Sequence, residues 1–156
     1  MNKVIISKEV NPYYNLALEE ELLRNIKSEE TILYLWQNEN TVVIGRNQNP
    51  YKECDLDYMK ENHIILARRI SGGGAVFHDL GNLNFTFITK EIESNLDKQL
   101  KVIKGAVESY GFKVEFSGRN DLLLTRPAIF AKCIRPYAWI RTSAPGGHFN
   151  AGLITA

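Results

Sequence analysis

Arg68-Arg69-Ile70-Ser71-Gly72-Gly73-Gly74-Ala75-Val76-Phe77-His78-Asp79-Leu80-Gly81-Asn82 constrains this chain more than any other stretch. Three successive glycines bring no side chain to a core and cost backbone entropy, so packing does not account for them. They let the main chain approach a ligand closely and turn its N–H groups toward negative charge. Ile64-Ile65-Leu66-Ala67 leads in like a strand, and Leu83-Asn84-Phe85-Thr86-Phe87-Ile88 leads out as an alternating one. A strand, a glycine loop with two arginines at its mouth, and a second strand make an anion cradle held on a sheet. The bland reading is a glycine-rich hairpin; the two arginines and the tail from His78 to Asn82 weigh against it. Neither common phosphate-loop pattern fits, since no Gly-Lys-Ser/Thr closes the loop and G-x-G-x-x-G is absent.

With 156 residues the chain is long enough for one domain with a real core. Its 44% hydrophobic and 24% charged content is that of an ordinary soluble globule. A net charge of +1 provides no field for nucleic acid or a membrane surface, so neither is expected as a partner. No apolar run reaches the length of a spanning helix, and the N-terminus has no signal-peptide pattern. Cys54 and Cys133 stand far apart outside any C-x-x-C, which argues against a disulfide framework or zinc site and fits a reducing cytoplasm.

Taken in order, Val4-Ile5-Ile6 reads as a first strand, and Asn11-Pro12 starts a helix with an Asn cap and Pro in the first turn. Leu16, Leu22, Leu23 and Ile26 share one face of it; Glu19, Glu20 and Glu21 read as solvated or dipole-stabilising carboxylates. Thr31–Trp36 and Thr41–Gly45, separated by Asn38-Glu39-Asn40, read as a hairpin. Arg46 to Tyr51 is a polar surface loop, and Asp55 to Asn62 a short helix. Asn95 caps a covering helix with Leu96, Leu100, Ile103, Val107 and Tyr110 in register, ended by Gly111. Lys113–Phe116 and Leu122–Leu124 read as strands. The expected class is α+β, a mixed, largely antiparallel sheet flanked by helices. From Thr125 onward Pro127, Pro136 and Ala144-Pro145-Gly146-Gly147 leave no regular element in this reading, and residues after about 124 are expected to pack poorly.

RRxSGGGAVFHDLGN, together with Arg46–Cys54 and Gly118-Arg119-Asn120-Asp121-Leu122, resembles the signature segments of the lipoate–protein ligase A family, relatives of the biotin protein ligases. The resemblance covers roughly residues 3 to 124 and implies the class II synthetase-like catalytic fold. It divides the chain into a partial ligase-like domain, 1–124, and a divergent tail, 125–156. The family continues with K-x-S-G-x-A-Y and H-H-G-T-L-L segments that are not found here. One permitted back-translation of Arg126–Arg135, read one nucleotide further on, gives a peptide close to the first of them, so a shifted reading frame is the expected cause.

What the resemblance implies for chemistry is ATP-dependent activation of lipoate to lipoyl-AMP with Mg²⁺, then transfer to a lysine of a lipoyl carrier domain. Carriers would be those of 2-oxoacid dehydrogenase complexes or the glycine cleavage H protein, and a separate accessory domain is a further implied partner. Such chemistry rests on fixed donors and charges. Arg69, Gly72, Gly73, Gly74, Ala75, Val76, Phe77, Asn82 and Asn120 are expected at the nucleotide. Trp36, Arg69, Gly74, His78 and Lys132 are expected at lipoate, with apolar residues of adjacent strands lining an acyl tunnel. Asp121 is expected near the adenylate or holding Mg²⁺. Lys132, twelve residues after Asn120, is the candidate for the catalytic lysine, although Cys133-Ile134-Arg135 follow it where x-S-G is expected. From the residues alone, Asn82 and Asn120 are equally turn formers, His78 equally a hydrogen-bonded structural histidine, and His63 and Cys54 structural. Two other functions compete: an octanoyl or lipoyl transferase of the same fold, which works without ATP through a cysteine or lysine nucleophile (Cys133 lies near the right region), and a non-catalytic module that holds lipoate or nucleotide.

Overall fold

The computed structural model describes residues 2–90 and 95–115 in full, and the backbone of 116–117, 121–124, 129–134, 137–142 and 148–155. Its elements are β1 (Asn2–Ile6), α1 (Pro12–Asn25), β2 (Thr31–Trp36), β3 (Thr41–Ile44), α2 (Pro50–Glu53), α3 (Leu56–Glu61), β4 (Ile65–Arg68), β5 (Val76–His78) and β6 (Asn82–Thr89). Then follow α4 (Leu96–Glu108), β7 (Val114–Ser117), β8 (Asp121–Leu124), β9 (Ile129–Ile134), β10 (Tyr137–Thr142) and β11 (His148–Thr155). Six strands form one sheet in the order β1-β2-β6-β11-β10-β9; β4-β3-β5 form a second sheet and β7-β8 a third. Five of the eight described pairings are antiparallel. The expected class, α+β with a mixed and largely antiparallel sheet, is the observed one.

Both faces of the β2–β6 pair are covered, and the alternation along each strand says by what. Ile32, Tyr34 and Trp36 of β2 and Ile88 of β6 pack with Leu16, Leu18, Leu22 and Leu23 of α1. Phe85 and Phe87, one step out of phase on β6, pack with Leu100 and Ile103 of α4, with Leu33 and Leu35 beside them. Full burial of each such side chain contributes about 1.5–3 kcal/mol, so these two layers hold the domain. The caps follow the sequence: Asn11 Oδ1 accepts from the N–H groups of Tyr13 and Tyr14, Asp55 Oδ1 from Tyr58, and Asn95 Oδ1 from Lys98. Gly111 takes φ +85°, the left-handed conformation that glycine tolerates after a helix. The helix itself ends at Glu108, which leaves Tyr110 exposed instead of on the packed face.

Three expectations are overturned. Thr31–Trp36 and Thr41–Ile44 are not a hairpin: β2 pairs with β1 and β6, whereas β3 pairs with β4 and β5 in another sheet. The connection between them is pinned inward by the buried Asn38 and does not turn back on itself. Glu19 is not solvated; it is 1% exposed, on the buried side of α1 with Pro12 and Asn15. The backbone after 124 does carry regular elements: in the sequence Pro127 falls between β8 and β9, Pro136 between β9 and β10, and Pro145 between β10 and β11, so none of the three lies inside a strand. β11 lies between β6 and β10, and pairs in parallel with β6 from His148↔Asn82 to Thr155↔Thr89.

Candidate active site

β4 and β5 lie on opposite sides of β3, so the segment joining them must cross the end of β3. That segment is the glycine loop. It is tied down at both ends of the crossing: Arg69 N–H donates to Ile44 O at 3.0 Å, and Arg46 N–H to Ser71 O at 2.8 Å. The approach is so close that a Cβ on Gly45 would collide with the Gly73 carbonyl oxygen. Gly73 sits at φ +94°, a conformation that side chains rarely adopt. At Gly72 and Gly74, by contrast, a Cβ would meet nothing within 4 Å, so the protein itself does not require glycine there.

Arg69 organises this loop from beneath. It is 3% exposed, and its guanidinium donates to backbone oxygens: Nη1 to Val43 at 3.0 Å, Nε and Nη2 to Gly72 at 3.1 and 2.8 Å, and Nη2 to Gly74 at 2.7 Å. In a trans peptide the N–H points opposite to its C=O. Holding the oxygens of Gly72 and Gly74 toward Arg69 therefore turns the N–H groups of Gly73 and Ala75 away from it. The neighbouring Arg68 donates through Nη1 to the carbonyls of Gly45, Arg46 and Gln48, which fixes the facing loop.

On the α1 face of β6 the polar residues converge. The Trp36 indole N–H donates to Thr86 Oγ1 at 3.2 Å, and the Thr86 hydroxyl donates to Glu19 Oε1 at 2.6 Å. Burial pushes the Glu19 carboxyl up to about 7, against the hydrogen bond from Thr86 and the charge of Arg69, which lower it. Trp36 stacks on Tyr34 with ring centroids 6.0 Å apart and meets His78 edge-on at 5.8 Å. His78 is 4% exposed; burial, then the positive charge of Arg69, lower it to about 3. Asn82 donates to Phe77 O at 3.0 Å, while its own Oδ1 is buried without a partner among the described residues. Both amide atoms of Asn84 are likewise buried and have no partner among the described residues, two residues from Thr86 along β6.

Trp36, Arg69, His78, Asn82 and the loop 72–77 are thus brought together, with Phe77 half-exposed on β5. A groove of about 670 Å³ opens beside the loop between Leu23, Arg24, Arg46, Arg68 and Ile70, and a recess of about 190 Å³ reaches Glu19 past Tyr13, Leu16 and Ala17. Asn120 lies outside the described residues. Asp121 begins β8 opposite Ser117, and Lys132 lies on β9 opposite Trp139; their side chains also lie outside the described residues. Among the described residues no cluster of His, Cys, Asp or Glu could hold a metal ion. Cys54 is a half-buried free thiol raised by burial, as a structural cysteine would be. The residues missed from sequence are Glu19, Asn38, Thr86 and Asn84. Glu19 was marked by its spacing, which sets it on the same stripe as Leu16, Leu23 and Ile26.

A family model described as the lipoyl protein ligase A/B catalytic domain matches residues 11–135. The chain belongs to this family. It is 49% identical over 125 residues to a lipoate-protein ligase A of Bdellovibrio bacteriovorus, a match covering 80% of this chain and 37% of that protein. It is 46% identical over 122 residues to a lipoate-protein ligase A of Blochmanniella floridana, covering 78% of this chain and 36% of that one. The chain therefore spans little more than a third of the length of these relatives. Among solved structures, P. falciparum LipL1 in complex with lipoate superposes with a TM-score of 0.74 at 33% identity, covering 89% of this chain and 43% of that one. A lipoate-protein ligase A bound with ATP gives 0.69 at 25% identity, covering 88% and 60%. An archaeal bi-partite lipoate protein ligase from Thermoplasma acidophilum, described with its E2 lipoyl domain, gives 0.68 at 29% identity, covering 88% and 55%. No described helix is long and apolar enough to cross a membrane.

Proposed function

We propose that this chain carries the acyl-activating part of a lipoate–protein ligase: lipoate and ATP give lipoyl-AMP and pyrophosphate, and the acyl group passes to a lysine of a lipoyl carrier domain. The observation that carries the reading is the Arg69-held loop, in a member of this family, with the N–H groups of Gly73 and Ala75 turned outward. Outward N–H donors on an immobile backbone suit the α-phosphate, where charge changes as the carboxylate attacks. Gly72 and Gly74 leave the space a nucleotide needs. Arg69 acts here mainly by shaping the loop, not by presenting its whole fork to phosphate. The Oδ1 of Asn82, without a partner among the described residues, is a buried acceptor for the nucleotide. Trp36 and His78 form one wall of the acyl site.

Asp121 is the residue we assign to Mg²⁺, which would supply charge neutralisation to the pyrophosphate. Lys132 on β9 and Asn120 complete the proposal at the carboxylate and the nucleotide. The carriers are lipoyl domains of 2-oxoacid dehydrogenase complexes or the glycine cleavage H protein, with a separate accessory domain on the pattern of the bi-partite archaeal neighbour, and the setting is a reducing cytoplasm. Pyrophosphate release should require ATP, Mg²⁺ and lipoate together. Acyl transfer from a carrier without ATP would instead indicate the transferase reading, and lipoate binding with no chemistry under any condition the binding-module reading.

A further inference from the structure

A polar relay, buried from Asn15 onward, runs from Ser7 just after β1 to His78, through residues to which the ligase reading gives no role. The Asn15 Nδ2 group donates to the carbonyl oxygens of Glu9 at 3.0 Å and Gln37 at 2.8 Å, and to Asn38 Oδ1 at 3.1 Å. Two of those partners are backbone oxygens that can only accept, so the orientation of the Asn15 amide is fixed. Its Oδ1 accepts from the Ser7 hydroxyl at 2.6 Å and the Tyr34 hydroxyl at 3.0 Å. The Asn15 amide has two hydrogens for these three acceptors, so one is shared; an Asn38 nitrogen turned toward it would set two NH2 groups head to head, so Asn38 turns its oxygen toward Asn15 and its nitrogen toward His78. That nitrogen lies 3.1 Å from His78 Nδ1. An amide nitrogen only donates, so Nδ1 must accept, and the ring proton of the neutral imidazole is left on Nε2. None of the described hydrogen bonds uses Nε2, and the ring stands edge-on to Trp36 at 5.8 Å.

We propose that Asn15 and Asn38 are positioning residues that lock His78 in the Nε2–H tautomer, so that it serves as a fixed hydrogen-bond donor to an oxygen of the acyl ligand. The donor role rests on the assignment of His78 to the acyl site; the tautomer does not. Its consequence is that His78 cannot be the base of the reaction. Nδ1 has its lone pair engaged by Asn38, and Nε2 has none to offer. Burial and the nearby Arg69 charge keep the ring from taking a second proton.

Long-range proton–nitrogen correlation spectra of the ¹⁵N-labelled chain test this directly. With no ligand, His78 should show a pyridine-type Nδ1 and a pyrrole-type Nε2; the opposite tautomer, or an imidazolium at neutral pH, overturns the proposal without any variant being made. Asn38→Asp places an acceptor where the donor stood, and should move the proton to Nδ1 and weaken lipoate binding about tenfold, the scale of one hydrogen bond to a charged group. Added lipoate should shift the Nε2–H resonance. If calorimetry shows lipoate bound and that resonance stays put, the donor role is overturned. If lipoate does not bind at all, it is the ligase reading that fails, and the tautomer still stands or falls on the ligand-free spectrum.

Discussion

Thr86 and Glu19, distant in sequence, meet between β6 and α1, where the threonine hydroxyl donates to Oε1 at 2.6 Å. The contact places a carboxyl group inside the apolar layer that holds the domain together, and burial there pushes it up to about 7. His78, beside Trp36 on the same side of the sheet, is driven the other way, to about 3.

These opposed shifts predict opposed pH dependences. Between the ordinary carboxylate range and about pH 7 the folded state binds the Glu19 proton more tightly than the unfolded chain, so stability from Glu19 falls as pH rises through that window. Below the ordinary histidine range the unfolded chain takes the His78 proton first, so stability from His78 falls as pH drops toward about 3. Glu19→Gln should therefore gain on the wild type by on the order of 3 kcal/mol between pH 4.5 and 8. Urea unfolding of both proteins across that range checks it. Parallel stability curves would contradict the buried carboxyl.

The glycines should separate into two classes. Gly45→Ala forces a Cβ against the Gly73 carbonyl and should cost about 1–3 kcal/mol of stability, as overpacking does. Gly72→Ala and Gly74→Ala have room in the protein and should leave the melting temperature nearly unchanged. Those two should nevertheless weaken binding of an adenylate mimic by about tenfold, because the methyl occupies the space proposed for the ligand. Thermal melts and titrations on the three variants read both effects. A large stability loss at Gly74 would show that the loop packs against something there.

Much of this was legible in sequence where the cause is local. Asn11-Pro12 and Asn95 cap the helices they announce, because a cap is decided within three residues. The glycine loop was legible as a connection between two strands, but the use of Arg69 was not. A guanidinium suits a carbonyl as well as a phosphate, and only the β4-β3-β5 arrangement decides between them. The false hairpin has a similar origin. Ile32, Tyr34 and Trp36 alternate with Leu33 and Leu35, so β2 is apolar on both faces; that marks an interior strand without naming its neighbours. Glu19 was legible from its stripe and was missed because three successive glutamates read as a solvated run.

The proposed reaction needs a lysine that neutralises carboxylate and phosphate together, and Lys132, the candidate, is followed by Cys133-Ile134-Arg135 where the resemblance expects x-S-G. Loss of one preorganised charge of this kind costs on the order of 10²–10³ in rate. The chain as written should adenylate lipoate very slowly or not at all, and restoring K-x-S-G and H-H-G-T in the tail should raise the rate by at least that factor. Pyrophosphate release by both versions is the assay. Fast turnover by the unaltered chain, abolished by Lys132→Ala, would reverse the expectation and make Lys132 the catalytic lysine.

Binding of a non-hydrolysable lipoyl-adenylate mimic, followed by calorimetry in the wild type and in Arg69→Ala, tests the central claim most directly. Binding does not require the catalytic lysine to turn over, and Arg69 holds the peptide planes that aim the loop donors. The wild type should bind one equivalent, and Arg69→Ala should bind it more weakly by about 1.5–3 kcal/mol, the scale of a hydrogen bond to a charged group. Affinity unchanged by the substitution in a folded variant, or no binding by the wild type, would contradict the assignment of this loop to the adenylate.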